Sequence, residues 1–150
     1  MQDETSFRES LGNLLDTQNL AVLSTCRQDR PYSSIIGFVA TEDFRRIIFA
    51  TLRDTRKYAN IQGNEHVSIL IDSRTNRIND FRDAIAVTVI GTAREETGQE
   101  RSVLAGLYLK RHFYLEKFIS DPNCALMVVR VRRYILVSQF QQVFEMEIQP

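Results

Sequence analysis

Residues 46–72 read RIIFATLRDTRKYANIQGNEHVSILID and contain two β-rich runs on either side of a short helical segment. Residues 46–51 are mainly apolar or β-branched, which is typical of a strand. Residues 54–62 predict a helix that stops near Gly63, because glycine commonly follows a helix C-terminus. In residues 67–72, Val67, Ile69 and Ile71 alternate with Ser68, Leu70 and Asp72, which predicts another strand.

The same strand pattern extends outward in both directions. Residues 20–26 and 32–40 are β-rich and are separated by a hairpin connection at 27–31, and a turn at 42–45 leads to the strand at 46–51. Residues 84–93, 125–137 and 142–148 predict the remaining strands. Strand follows strand through short connections, which argues against alternating βαβ units. The fold class that fits is mainly β: a six- to seven-stranded antiparallel barrel with peripheral helices, since closure hides the strand edges.

Helices are predicted at two further points. Ser6 and Glu9 have the spacing of a capping box at the start of a first helix. The apolar face of that helix would consist of Phe7, Leu11, Leu14 and Leu15. Residues 99–113 predict a later helix, and residues 73–83 predict a loop. The stripe of that later helix would comprise Val103, Leu104, Leu107 and Tyr108.

Composition indicates one ordinary globular domain spanning residues 1–150. The chain has 43% hydrophobic residues and 19 basic against 19 acidic side chains. A net charge of zero gives no overall field to attract nucleic acid or an anionic membrane. Cys26 and Cys124 form no CxxC pair, and no apolar run approaches the ~18 residues of a membrane span. We expect a cytoplasmic protein with neither a nucleic-acid nor a membrane partner.

Common catalytic and metal-binding signatures are missing from the sequence. It has no GxGxxG after a strand, no P-loop, no GxSxG and no HExxH. His66 and His112 have no Cys or paired carboxylate at ligand spacing, so no metal site is predicted. Arg130, Arg132 and Arg133 are a weak indication of nucleic-acid binding, because alternating strand residues usually face solvent.

The segment Thr51-Leu52-Arg53-Asp54-Thr55-Arg56-Lys57 offers a different chemistry. It joins a strand to a helix start, where backbone N–H groups lack intrahelical partners. Lys and Arg in a first helical turn interact unfavourably with the helix dipole, which costs about 0.3–1 kcal/mol for each cation. A bound phosphate would make their positive charges favourable. The alternative is that Asp54 or Thr55 is only an N-cap and the cations are solvated.

This region resembles the pyridoxamine 5′-phosphate oxidase-like family of FMN-binding split barrels. The family pattern runs strand, T-x-x-x-S-R-K, a helix ending in N-L or Q-I, then N-P-x-V-S-L-L. The corresponding residues are 49–61, FATLRDTRKYANI, and 64–70, NEHVSIL. Residues 29–32, DRPY, and 91–93, GTA, match an earlier and a later family motif. The resemblance covers residues 15–95 in register.

The resemblance implies FMN at a homodimer interface. Thr51 and Thr55 would donate hydroxyl hydrogen bonds to the phosphate, and Arg56 and Lys57 would neutralise its charge. Residues of the strand at 33–38 would lie along the flavin, partly through backbone groups. The full predicted cofactor-binding set is Ser33, Ser34, Ile35, Ile36, Thr51, Leu52, Thr55, Arg56 and Lys57.

The chain also departs from the oxidases of that family. Ser34 and Val39 stand where the flavin-facing strand has Arg and Lys, and Ala86 stands where the family has Gln. Residues 143–150, VFEMEIQP, lack the Arg-Leu tail that grips the vitamin phosphate. We therefore expect an FMN-dependent oxidoreductase that passes hydride or electrons to a small acceptor, and not a pyridoxamine phosphate oxidase.

Two alternatives stay open at this point. One is an FMN-binding electron carrier without enzymatic turnover. The other is a barrel that holds haem or a deazaflavin, and for haem only His66 and His112 are obvious axial ligands. No catalytic acid, base or nucleophile is identified from the sequence.

Overall fold

A computed structural model describes residues 3–139 and 141–150 of the chain. It contains seven strands, five α-helices and one 3₁₀ turn within those residues. The strands are β1 Leu20–Arg27, β2 Arg30–Ala40, β3 Arg46–Leu52, β4 His66–Asp72, β5 Ile85–Glu96, β6 Cys124–Ser138 and β7 Gln142–Glu147. The helices are α1 Glu4–Thr17, α2 Arg56–Gly63, α3 Asp80–Asp83, α4 Gly98–Arg111 and α5 Glu116–Ser120, and the 3₁₀ turn is Phe113–Leu115.

Six of the strands close into an antiparallel barrel. Their order is β3-β2-β1-β4-β5-β6, and the barrel closes because β3 also pairs with β6. The seventh strand, β7, pairs with the second half of β6 outside that ring. The predicted fold class, a mainly β barrel of six to seven antiparallel strands with peripheral helices, is confirmed.

The barrel interior holds the main hydrophobic core. Alternate residues of each strand point inward, as the period of two requires, and α1 closes one end of the core with its apolar face. Phe7, Leu11, Leu14 and Leu15 are all buried, as predicted. Phe7 also packs on Phe144 of β7, with ring centroids 4.6 Å apart.

A second core lies outside the barrel, between the β3–β6 pair and the helices that cover it. Ile48, Leu126 and Val128 pack there against Leu104 and Tyr108 of α4 and Ile119 of α5. The first six residues of β6 are therefore buried on both faces. This cover explains why that part of the sequence is a continuous apolar run rather than an alternating one.

The barrel is split between β2 and β3. Only Phe38, Val39 and Ala40 pair with β3, opposite Phe49, Ile48 and Ile47. In the described chain, residues 30–37 of β2 have no β3 partner, while Thr51 continues to pair with Ala125 of β6. The two strands therefore diverge and leave an opening in the barrel wall.

Several local predictions are corrected by the structure. The N-cap of α1 is Asp3, whose carboxylate accepts the Ser6 N–H at 2.7 Å, so the predicted Ser6–Glu9 capping box does not form. The predicted loop at 73–83 contains α3, since Asp80 accepts the backbone N–H groups of Thr75 and Asn76.

The helix predicted at residues 99–113 begins and ends earlier. Val103 is 61% exposed, and the buried face consists of Leu104, Ala105 and Tyr108. The helix ends at Arg111, and the chain continues through the 3₁₀ turn into α5, which the sequence pattern did not predict.

No helix in residues 3–139 and 141–150 is long and apolar enough to cross a membrane. The same residues contain no group of three or more His, Cys, Asp or Glu side chains placed to hold a metal ion.

A residue without a side chain is required at position 91, where β5 pairs with β6 at the bulge. A Cβ at this position would collide with the backbone carbonyl of Arg130 and lie 2.9 Å from Val129 Cγ1. We expect Gly91→Ala to lower the free energy of unfolding by about 1–3 kcal/mol, because the backbone must shift to admit the methyl group. Urea denaturation measures this change.

Gly106→Ala is the matched control for that substitution. Nothing lies within 4 Å of a Cβ at Gly106, which occupies an exposed position inside α4. The variant should gain about 0.5–1 kcal/mol from helix propensity. Equal behaviour of the two variants would contradict the packing argument.

Candidate functional site

The connection from β3 to α2 lies beside the opening between β2 and β3. Thr51 is 1% exposed, and its hydroxyl oxygen lies 2.9 Å from that of Thr55. Thr55 donates to the Leu52 carbonyl at 2.8 Å and accepts the Tyr58 N–H at 3.4 Å. Thr55 is thus the N-cap of α2, and the helix starts two residues later than predicted. The two hydroxyl groups are held together at the helix start.

Two cations occupy the first turn of α2. Arg56 and Lys57 form no ion pair within the described residues, and that turn contains no acidic side chain. Their positive charges add to the positive end of the helix dipole, which disfavours them. Partial burial lowers the pKa of Lys57, as expected for an ammonium group without a counter-charge. An anion at this position would supply the missing negative charge.

Arg53, the third cation of the segment, is already paired. Its guanidinium donates to Glu95 Oε2 at 2.6 Å and to the Pro122 carbonyl at 2.8 Å. Tyr58 donates its hydroxyl to Glu95 Oε1 at 2.6 Å. The hydrogen bond from Arg53 lowers the pKa of Glu95, and the bond to Glu95 raises the pKa of Tyr58. Arg53 therefore anchors the loop to β5, leaving only Arg56 and Lys57 to meet an anion.

The predicted flavin-facing residues of β2 alternate between two faces. Ser33 and Ile35 point outward; Ile35 is 69% exposed, and Ser33 Oγ lies 3.4 Å from Ser24 Oγ. Ile36 is 3% exposed and belongs to the barrel core, so only its backbone can reach a ligand. The hydroxyl of Ser34 is buried without a hydrogen-bond partner in the described chain. An unsatisfied buried hydroxyl costs about 1–3 kcal/mol.

A cation–π contact joins the two halves of the candidate site. The Arg56 guanidinium carbon lies 5.2 Å from the centroid of the Tyr32 ring, within the range of a cation–π interaction. Tyr32 immediately precedes the predicted residues 33–36. The structure thereby brings the start of β2 next to the first turn of α2, across the opening in the barrel wall.

The sequence did not predict the residues that hold β2 at Gly37 and Phe38, where its pairing with β3 begins. Tyr108 donates its hydroxyl to the Gly37 carbonyl at 3.1 Å, and His112 Nε2 lies 2.8 Å from the Phe38 carbonyl. His112 is 1% exposed, and its ring packs against Tyr108. The only sequence signal was the i, i+4 spacing of these two aromatic rings near the end of a helix.

The fold and the site together define a split β-barrel with a candidate dianion-binding loop at its opening. The family model described as pyridoxamine 5′-phosphate oxidase matches residues 7–138. The chain belongs to the pyridoxamine 5′-phosphate oxidase family. No curated protein matches the chain at significant sequence similarity.

Solved structures show the same fold at low sequence identity. A haem-binding protein from Mycobacterium smegmatis matches with a TM-score of 0.82 at 16% identity over 93% of this chain, which spans 57% of that protein. General Stress Protein 26 from Bacillus anthracis matches with a TM-score of 0.67 at 24% identity, covering 93% of this chain and 98% of that one. An FAD-binding protein from Mesorhizobium loti matches with a TM-score of 0.68 at 12% identity, covering 91% and 90%.

Glu95 should stabilise the loop in a pH-dependent way. Because the folded state lowers its pKa, the contribution is present above the unfolded pKa and is lost as the pH falls through the folded pKa. We expect Glu95→Gln to reduce the free energy of unfolding at pH 7 by about 1–2 kcal/mol, since a half-buried Arg–carboxylate pair and a tyrosine hydrogen bond are weakened. Chemical denaturation from pH 3 to pH 8 measures the difference, which should shrink at the acid end.

Glu100→Gln provides the comparison. Glu100 pairs with Arg46 at 2.8 Å, but both side chains are more exposed. Removal of this pair should cost less than about 1 kcal/mol. A larger loss than for Glu95→Gln would contradict the assigned role of Glu95.

Proposed function

We propose that the chain binds FMN, with the phosphate held at the start of α2. The observation that carries this proposal is the combination of an N-terminal helix turn, a fixed pair of threonine hydroxyls and two cations without counter-charges. Helix N-termini bind phosphate through free N–H groups and a favourable dipole. Charge-assisted hydrogen bonds from Arg56 and Lys57 would neutralise a dianion. The residues present therefore fit a phosphate group.

The rest of the cofactor would follow β2. The edge of β2 that faces the opening has no β3 partner over residues 30–37 in the described chain, so a ring lying there can meet backbone groups. Ser33 and Ile35 present their side chains to the outside, and Ser34 offers an unsatisfied hydroxyl. Leu52 and Thr51 border the phosphate end of the same opening. We propose that the predicted set contacts the cofactor, with Ile36 contributing through its backbone alone. The hydroxyls of Thr51 and Thr55 both donate to the Leu52 carbonyl and would have to rotate to donate to the phosphate.

We further propose that the FMN-loaded protein is an oxidoreductase. Bound FMN would supply hydride and one-electron transfer, while the chain supplies binding and orientation. Arg56, Lys57 and the α2 N-terminus would fix the phosphate, and β2 would hold the ring at the barrel opening. The substrates would be a reduced small-molecule donor and a small acceptor. A yellow protein without turnover of NADH or NADPH would instead favour a non-enzymatic electron carrier.

A homodimer would complete the site. Val22 lies directly opposite both Ile35 and Leu70, so the three side chains form an apolar row on the outer barrel face. Ile35 is 69% exposed, Leu70 36% and Leu20 62%. This apolar face is continuous with the candidate cofactor strand. A second copy of the chain is therefore the partner that we propose for it.

Haem is the second ligand to consider, since one structural relative is named as a haem-binding protein. His112 is a poor axial ligand because it is buried, with Nε2 at the Phe38 carbonyl and Nδ1 at 3.4 Å from the Tyr114 hydroxyl. His66 is exposed and remains the only other histidine in the sequence. The loop at residues 51–57 contains no histidine, cysteine or methionine that could ligate a haem iron. The chemistry of the site favours FMN over haem.

The two cysteines accord with the proposed cytoplasmic location. Cys26 and Cys124 are both free thiols. Persistent free thiols are typical of reducing compartments.

Removal of the two loop cations should separate phosphate recognition from ring recognition. We expect the Arg56→Gln/Lys57→Gln double variant to bind FMN at least tenfold more weakly, while its affinity for riboflavin changes little. Riboflavin lacks the phosphate and cannot use the charge-assisted bonds. Fluorescence titration measures both affinities.

Lys117→Gln removes a charge from exposed α5 and is the control. It should leave both affinities unchanged. An equal loss of FMN and riboflavin in the double variant would show that the cations do not recognise the phosphate.

Introduction of a charge into the outer apolar row should disrupt the dimer. Ile35→Asp would place a carboxylate in the proposed interface, where desolvation disfavours it. We expect sedimentation velocity to show a dimer for the native chain and a monomer for the variant. Val103→Asp, at an equally exposed position on α4, should stay dimeric. A monomeric native protein at micromolar concentration would refute the proposed interface.

A further inference from the structure

A second cluster of basic side chains surrounds a cavity of about 390 Å³ on the outside of the barrel. The basic residues that line it are Arg45, His66, Arg130 and Arg132, and no Asp or Glu of the described residues does so. Its apolar lining includes Gly91, Val131 and Ile148. This volume is within the ~300–1,000 Å³ range of small-molecule sites.

Strand register explains how these side chains come together. His66 lies opposite Thr92, Thr92 lies opposite Arg130, and Arg130 lies opposite Arg46. Residues directly opposite each other share one face of a sheet. One row across β4, β5, β6 and β3 therefore carries an imidazole, a hydroxyl and two guanidinium groups.

A β-bulge adds Arg132 to this row. Gly91 lies opposite Val131 while Ile90 lies opposite Arg133, so Arg132 is the extra residue of β6. Such bulges redirect side chains and are frequent next to binding sites. The Val131 N–H donates to the Arg45 carbonyl at 2.9 Å, which fixes the turn bearing Arg45 beside the bulge. The Ile148 N–H donates to the Arg132 carbonyl at 2.8 Å.

The neighbouring arginines are neutralised, whereas those of the cavity are not. Arg133 pairs with Glu145 and Glu147, and Arg46 pairs with Glu100. In the part of the chain that the structure describes, the guanidinium groups of Arg45, Arg130 and Arg132 form neither an ion pair nor a hydrogen bond.

The acid closest to Arg45 in sequence is Asp43, whose pKa is lowered by the Thr41 and Arg45 hydrogen bonds and in part by the Arg45 charge, although the two side chains form no ion pair in the described chain. Asp43 accepts the Thr41 hydroxyl at 2.6 Å and the Arg45 backbone N–H at 3.0 Å. Like charges facing each other across strands are destabilising. The unpaired guanidinium groups therefore leave a local excess of positive charge that a ligand can relieve.

We propose that this cavity is a second anion site, which binds a small phosphate monoester. A phosphate dianion can accept bonds from several guanidinium groups at once, in the forked geometry that arginine favours. The carbon skeleton of the ligand would lie against Val131 and Ile148. The site is separate from the loop at residues 51–57, because Arg46 and Thr51 are five residues apart on one strand, about 16 Å. The proposal does not depend on the assignment of FMN.

Ribose 5-phosphate, with ribose as the uncharged control, tests this site. Isothermal titration calorimetry would use the full chain at low ionic strength with no added FMN, because FMN is itself a phosphate monoester, and the Arg56→Gln/Lys57→Gln variant would separate any binding at the loop of residues 51–57. We expect saturable binding of ribose 5-phosphate and none of ribose. The Arg130→Gln/Arg132→Gln double variant should bind at least tenfold more weakly, whereas Lys117→Gln should bind normally. Backbone amide NMR shifts should localise the ligand at Thr92 and Val131.

Three results would overturn the proposal. They are the absence of saturable binding to the native chain, an unchanged affinity in the Arg130→Gln/Arg132→Gln variant, and a loss of binding only in the Arg56→Gln/Lys57→Gln variant. Both substituted arginines are exposed, so the ligand-free variant should have the same melting temperature as the native chain. A melting curve checks that its fold is intact.

Discussion

The length of β6 is the constraint on which the rest of the molecule depends. This strand pairs with β5 along most of its course, with β3 through its first half and with β7 through its second. Closure of the ring requires the β3–β6 pairing, and that pairing sets where β3 ends. This strand of 15 residues pairs with three other strands because it bends at the bulge beside Gly91. Without that bend, β6 could not leave β3 and continue to β7.

The split between β2 and β3 follows from the same geometry. β3 continues along β6 to Leu52 after it has parted from β2 at Phe49. The chain then turns directly into α2, so the helix N-terminus emerges beside an opening rather than on a closed surface. The site thus combines free backbone N–H groups, two cations and an unpaired strand edge. None of these features is unusual alone, and their coincidence at one place supports a phosphate-bearing, flat ligand.

Sequence patterns predicted the strands well because period-two alternation and turn residues are local signals. Thr51, Thr55, Arg56 and Lys57 were also found from sequence, since a strand–helix junction rich in hydroxyls and cations is visible in one short segment. The anchoring role of Arg53 was not predicted, because its partner Glu95 lies 42 residues further on. The predicted capping box at Ser6 does not form because the helix begins earlier, with Asp3 as its N-cap. Helix α5 was missed because its burial comes from β6, which local pattern does not reveal.

The anchor of Arg53 and Tyr58 on Glu95 also has a kinetic consequence. These hydrogen bonds involve only the chain itself, so the loop is held in its shape before any ligand arrives. The entropy lost in ordering the segment belongs to folding, and capture of a ligand does not repeat that loss. Encounter then requires only diffusion and desolvation of the incoming group. A preorganised loop of this kind allows rapid capture of a ligand without a separate closing motion.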